Sequence, residues 1–272
     1  MKLFRRNIPP ALIASKLGMF LLVAIRISVL FRNPIHLLSH YIRSSALPDK
    51  VVTLRNGKKI FLSSHESDLI TVVVLFGKRE YGDIPKGATV LDIGANIGVF
   101  SIYAKLNGAD KVFACEPNEE SFAILKKNIK ENGYEDTVMA LNRAVTDIDD
   151  EIVLIPKKSS PLNEIIRDHN DENTNLSSVK TVSLESILAK YSIEFLDLLK
   201  IDCEGAEYQI VETTSADIFN KIQRLRFEYH EGPDNLTHHL SKYGYTVDGH
   251  FPDNDSGWGW DKVGRIFYSK IS

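Results

Sequence analysis

Acidic residues are missing from the first 48 positions of this 272-residue chain, although 36 Asp and Glu occur in the whole. The same stretch holds seven basic residues, Lys2, Arg5, Arg6, Lys16, Arg26, Arg32 and Arg43, so the remainder carries −10 against a whole-chain −3. A weakly acidic whole gives no general case for nucleic-acid binding. The asymmetry marks the start of the chain as a piece with surroundings of its own. Cysteine is scarce as well. Cys115 and Cys203 make neither a Cys-x-x-Cys pair nor a disulfide framework, which fits two small buried thiols in a reducing, cytoplasmic compartment. The most apolar run, residues 17–31, falls short of the ~20 residues needed to span a bilayer and is interrupted by Arg26. No small-x-small cleavage site follows the basic start closely, as a secretory signal would require.

Certain glycines are also absent. Residues 90–101 (VLDIGANIGVFS) read as a buried parallel strand with Asp92 set into it, a turn from Gly94 to Gly98, and a helix start. Such a turn brings backbone close to a ligand, and unpaired N–H groups at the helix start attract negative groups. A dinucleotide fingerprint beginning at Gly94 would need glycines where Asn96 and Val99 stand, and no Lys-Ser or Lys-Thr pair follows as in a P-loop. Residues 111–116 form a second strand ending in Glu116, 22 positions after Gly94, near the spacing at which an acid grips ribose hydroxyls. A nucleoside without phosphates is the better guest, and S-adenosylmethionine is the common one. A nicotinamide oxidoreductase is the alternative that the missing glycines oppose. A third reading is a membrane-attached module that binds the nucleoside without catalysis.

Residues 90–101, Cys115-Glu116-Pro117 and residues 199–207 (LKIDCEGAE) resemble the FkbM-type branch of S-adenosylmethionine-dependent methyltransferases, over about residues 80–230. The resemblance implies methyl transfer, typically to a hydroxyl of a sugar or polyketide-like acceptor. It implies cofactor contacts from Asp92, Gly94, Ala95, Asn96, Gly98, Glu116 and Pro117, from Ala144 at the tip of a third strand that passes the adenine, and from Asp202. An acid before strand one often lines the cofactor mouth in that family; Glu80 fits by position.

The fold expected is α/β: a doubly wound, mostly parallel, Rossmann-like sheet with an antiparallel terminal strand, helices on both faces and an N-terminal helical appendage. Three segments are expected: a basic apolar helical segment at 1–48, a hairpin and helix at 49–83, and the cofactor-binding domain at 84–272. The first segment fits a peripheral contact with the inner face of an anionic membrane, supported by its basic residues including Arg26. Packing on its own domain, or on a second copy as a homodimer, fits equally. In the second segment Asn56-Gly57 marks a hairpin turn, and residues 67–76 a helix capped by Ser67 or Asp68. Strands are expected at 137–143, 151–155, 195–202, 222–228, 245–248 and 265–269. Residues 156–178, nearly free of apolar side chains in their second half, read as a long irregular loop.

The chemistry is expected where strands end. Asp202, Glu204 and Glu207 cluster at one carboxyl end; Glu207 reads as an acid favouring a helix start. His230 leaves the neighbouring strand. Methyl transfer to an alcohol requires alignment and a base for the hydroxyl proton. His230 is the first candidate, with Asp202 as second base or orienting group and Glu204 beside them. Asp202, Glu204 and His230 could instead hold a divalent metal, though none is expected. Trp258 and Trp260, the two tryptophans, sit among glycines and could stack on the rings of a carbohydrate or glycolipid acceptor.

Overall fold

The computed structural model describes residues 10–156, 175–203, 205–252 and 263–270, with side chains from residue 18 onward. The chain divides into two compact units, Met1–Gly82 and Asp83–Ser272.

In the first unit, α1 (Pro10–Leu30) and α2 (Pro34–Ile42) precede the antiparallel hairpin of β1 (Val51–Thr53) and β2 (Lys59–Phe61). Gly57 supplies the positive φ of the hairpin turn, +88°. Then α3 (Glu66–Val72) continues as a π-helical turn, Val73–Lys78. Neither Ser67 nor Asp68 caps α3. The helix begins at Glu66, and Asp68 is buried, accepting the Ser63 N–H at 2.6 Å. Val23, Ile27 and Phe31 bury one face of α1. A Cβ on Gly77 would lie 2.8 Å from Val23 Cγ1, so a side chain there would force the helix and the π-turn apart. Arg26 donates to the carbonyls of Gly77 (2.9 Å) and Lys78 (3.5 Å), which end the π-turn without helical partners. The charge that interrupts the apolar run thus serves the unit's own interior, not a lipid headgroup. Among the described residues no helix is long and apolar enough to cross a membrane.

The second unit opens with β3 (Thr89–Ile93), α4 (Val99–Leu106), β4 (Lys111–Cys115), α5 (Glu119–Glu131) and β5 (Val138–Leu141). Next come β6 (Ala144–Val145), β7 (Ile152–Pro156), β8 (Leu176–Val182), α6 (Leu184–Lys190) and β9 (Leu198–Ile201). The chain finishes with α7 (Glu207–Thr213), α8 (Ala216–Asn220), β10 (Arg224–Tyr229), α9 (Asp234–Ser241), β11 (Tyr245–Pro252) and β12 (Gly264–Lys270). Caps fall where the side chains allow: Asn118 accepts the Ser121 N–H before α5, and Ser183 that of Ser186 before α6.

Seven strands form one sheet in the order β11-β12-β10-β9-β3-β4-β5. The five from β10 to β5 are parallel; β12 runs antiparallel to β10, and β11 to β12. The chain leaves β3 first toward β5 and later toward β10, so right-handed crossovers put α4 and α5 on one face and α7 and α8 on the other. Leu91, Ile93, Phe113, Leu199, Ile201 and Phe227 are buried in this sheet. Order reverses between β3 and β9, the switch point beyond whose carboxyl ends open α/β sheets bind their ligands. The antiparallel terminal strand expected is β12, inserted between β10 and β11, and β11 runs to Pro252. Ala144 does not extend the third strand: β5 ends at Leu141, and β6 joins β8 and β7 in a separate three-stranded sheet. Leu176–Ser178, expected in an irregular loop, lie in β8 because their backbone pairs with Leu154–Pro156. The rest of that loop, residues 157–174, is outside the described residues.

Candidate active site

The turn after β3 is held by its own amides. Gly94 and Ala95 donate to the Cys115 carbonyl at 3.0 and 2.9 Å, Asn96 to Glu116 Oε2 at 2.7 Å, and Gly98 to the Ala95 carbonyl at 2.8 Å. Gly94 has φ +71°, and a Cβ there would collide with the Asp202 carbonyl. Glycine is therefore required both by conformation and by the close approach of β9. Asn96 takes the left-handed φ of +49°, and its side chain accepts the Ser121 hydroxyl at 3.0 Å. Four amides committed in this way do not form a pyrophosphate cradle.

Glu116 sits at the tip of β4, only 5 % exposed. Its two oxygens accept the N–H groups of Asn118 (2.8 Å) and Asn96 (2.7 Å), which leaves each with spare acceptor capacity. Burial pushes its pKa up to about 7, against the lowering pull of those two amides and of Lys200. Asn142 donates to the carbonyls of Glu116 and Pro117, both at 2.9 Å, and so ties the chain after β5 to the tip of β4. Ala144 is buried with Val153, Ile155 and Val179 in the small sheet.

Asp92, by contrast, is fully buried and already occupied. Register sets it beside Lys200 on the same face of the sheet. Its Oδ2 accepts the Ser101 hydroxyl at 2.7 Å, and Oδ1 lies 3.2 Å from Lys200 Nζ. That ammonium also meets Asp202 Oδ2 at 3.3 Å and donates to the Gly94 carbonyl at 2.7 Å. Burial works against the charge on Lys200, yet the carboxylates of Asp202 and Asp92 outweigh it and hold its pKa above the ordinary lysine value. Sequence reasoning passed over Lys200; the signal was a lysine inside an otherwise apolar strand, which must find buried anions. Cys115 is buried and its thiol is pushed up by burial, then by Asp92 and Glu116, which fits an inert role.

The second half of the site lies across β9 and β10. Glu207, at the start of α7, is fully buried. It accepts the N–H groups of Cys203 (2.9 Å) and Gly205 (2.7 Å), and its Oε1 stands 3.1 Å from His230 Nδ1. The residue read as a simple helix-dipole acid is thus the carboxylate that holds His230. Tyr208 fixes the segment after the histidine: its hydroxyl donates to the Gly232 carbonyl at 2.9 Å and accepts the Glu231 N–H at 2.7 Å. Asp202, Glu228 and His230 present ligand atoms within 4.8 Å of one another. Both acids already have cationic neighbours, Lys200 on Asp202 and Arg265 Nε at 3.6 Å from Glu228 Oε2. Glu228 was missed because a strand's alternation alone does not distinguish an acid facing solvent from one facing a site. A cavity of about 590 Å³ is lined by Tyr229, Glu231, Asp234, Asn235 and His250, among others.

A family model described as the methyltransferase FkbM domain matches residues 92–247, more than half of the chain. The chain belongs to the FkbM methyltransferase family. It is similar to the methyltransferase sdnD of Sordaria araneosa, 24% identical over 55% of this chain and 69% of that protein. It is also similar to an arginine N(omega)-methyltransferase of Streptomyces achromogenes subsp. streptozoticus, 38% identical over 24% of this chain and 18% of that protein. Among solved structures, M. capricolum TrmK in complex with S-adenosyl-homocysteine is 13% identical, covering 72% of this chain and 67% of that chain at a TM-score of 0.44.

As an FkbM methyltransferase the chain is an enzyme that uses S-adenosylmethionine. Its residues fit that cofactor on their own evidence. A buried carboxylate with spare acceptor capacity suits ribose hydroxyls, and a turn whose amides are internally committed suits a ligand without phosphate. Four of the residues expected around the cofactor, Gly94, Asn96, Glu116 and Asp202, come together at the ends of β3, β4 and β9. Glu204, Trp258 and Trp260 lie outside the described residues.

Proposed function

We propose that the protein transfers the methyl group of S-adenosylmethionine to a hydroxyl of a sugar, polysaccharide or glycolipid. The observation that carries this reading is the buried Glu207 carboxylate at 3.1 Å from His230 Nδ1. With Nδ1–H donating to Glu207, Nε2 is left with the lone pair that accepts a proton. An alcohol needs such a base, which contributes typically ~10²–10⁴ in rate. The bound cofactor supplies an activated methyl on a sulfonium. The chain's own tasks are then to hold the ribose at Glu116, to keep β3 and β9 in register through Lys200, and to receive the hydroxyl proton at His230. The cavity beside Glu231, Asp234, Asn235 and His250 supports the acceptor class, since acids and amides match a ligand rich in hydroxyls.

A second reading draws on the carboxylates of Asp202 and Glu228 beside His230. Two acids there also suit a guanidinium or other basic nitrogen acceptor, as in the arginine-methylating relative. Incubation with labelled S-adenosylmethionine, separately with fractionated glycans and glycolipids and with arginine-containing peptides and free arginine, separates the two. Label on the carbohydrate fraction is the expected outcome. Label on nitrogen replaces the hydroxyl reading with the second.

A further inference from the structure

The first unit presents an apolar face that its own core does not use. Along α1, Leu21, Ile25 and Val29 follow one another at intervals of four and are 54, 61 and 65 % exposed, with Leu22 beside them. The opposite face of α1, Val23 and Ile27, is buried. On α2, Ile35 and Ile42, seven apart, are also exposed. A helix that spends one apolar face on its own unit and leaves a second one open is unusual for a surface element.

The charge of the unit indicates the occupant of this face. Met1–Gly82 carries thirteen Lys and Arg against four Asp and Glu, a formal +9, whereas Asp83–Ser272 carries 20 against 32, or −12. Arg32, Arg43, Arg55 and Lys59 are exposed in the first unit. The partner must therefore offer apolar contact and negative charge together. A second copy of the first unit offers like charge, and the acidic unit's described exposed large apolar residues are few: Ile148, Ile152, Phe195, Val247 and Phe251. A bilayer surface with anionic headgroups offers both at once.

We infer that the first unit docks on an anionic membrane surface, laying the Leu21–Ile25–Val29 stripe of α1 into the headgroup boundary while its basic residues meet the lipid charge. Arg26 takes no part, being bound to the π-turn. This attachment stands independently of which acceptor the active site methylates. It would bring the enzyme to acceptors held at a membrane.

Co-sedimentation of the full-length protein with vesicles tests it. Phosphatidylcholine vesicles containing about one-third phosphatidylglycerol should bind the protein at least tenfold more tightly than phosphatidylcholine alone. Raising salt to 0.5 M should weaken the binding strongly. The double substitution Ile25→Glu and Val29→Glu, at exposed positions, should abolish it while leaving the circular dichroism spectrum and S-adenosylhomocysteine affinity unchanged. Absence of sedimentation with either vesicle at low salt overturns the inference, as does sedimentation that survives the double substitution. A dimer in light scattering that the same substitution splits, without vesicle binding, assigns the face to a second copy instead.

Discussion

Glu116 is where a single residue's environment has a measurable consequence. Its carboxyl binds a proton more tightly in the folded chain than in the unfolded one, with a pKa of about 7. On its own this group stabilises the fold below its unfolded pKa, and that contribution is lost as pH rises through about 7. Cofactor binding works in the other direction, because ribose hydroxyls donate to the carboxylate. S-adenosylhomocysteine should bind about tenfold more weakly at pH 6 than at pH 8, with proton release detectable by calorimetry in buffers of different ionisation heat. An affinity flat across that range removes Glu116 from the ribose site. Hydrogen bonds to a charged group contribute about 1.5–3 kcal/mol, so Glu116→Ala should weaken binding roughly ten- to hundredfold. At the other end of the site, His230→Ala should leave S-adenosylmethionine affinity within about twofold and lower turnover by ~10² or more. Glu207→Gln tests the dyad. An amide in that place disturbs the tautomer the carboxylate holds, so turnover should fall by at least about tenfold. A folded Glu207→Gln enzyme with the parent turnover would show the carboxylate to be structural alone. Restoration of activity in the His230→Ala enzyme by Mg²⁺ would favour a metal at Asp202 and Glu228.

Elements, rather than residues, are what Lys200 serves. The side chain stands on β9, touches Asp92 of β3 and Asp202 beyond β9, and donates to the carbonyl of Gly94. Removing it leaves the buried Asp92 carboxylate uncompensated, at a cost of about 3–5 kcal/mol. Lys200→Met should therefore lower the melting temperature by about 6 °C or more. Because Asp92 carries the fully buried half of that charge, adding Asp92→Asn should recover part of the loss. Equal stability of the single and double variants would show that the ion pair with Asp92 is not what joins the strands. The same contact explains why Gly94 cannot be enlarged: the lysine draws β9 up to the turn, and the Asp202 carbonyl occupies the space a Cβ would need.

At the scale of the molecule the charge separates as sharply as the structure. The first unit is basic with an exposed apolar face, and the second is acidic and carries the site at the ends of β3, β4 and β9. Cofactor binding should stabilise the second unit by mass action. S-adenosylhomocysteine at 100 times its dissociation constant contributes about 2.7 kcal/mol, which for a domain of this size raises the melting temperature by roughly 5–10 °C. NADH at the same concentration should leave it unchanged. A larger shift with NADH would contradict the cofactor assignment.

Local chemistry by itself determined the parallel strands, the Gly94 turn, the Asn56-Gly57 hairpin and the place of Glu116. Each depends on residues near in sequence: apolar runs, a glycine needed for positive φ, an acid at a strand tip. The motifs also carried the family. Tertiary structure alone decided what long-range packing sets. Arg26 turned inward because the π-turn, 51 residues away, ends in carbonyls that need a donor. Glu207 became the partner of His230 because β9 and β10 lie side by side, which sequence spacing of 23 residues does not reveal. Glu228 reached Asp202 for the same reason. Lys200 could be buried only once two strands had brought acids to it, and Ala144 left the main sheet because β8, more than thirty residues later, offered it a backbone partner. Periodicity reports which side of an element is apolar, whereas ion pairs and sheet neighbours are settled by where distant elements come to rest.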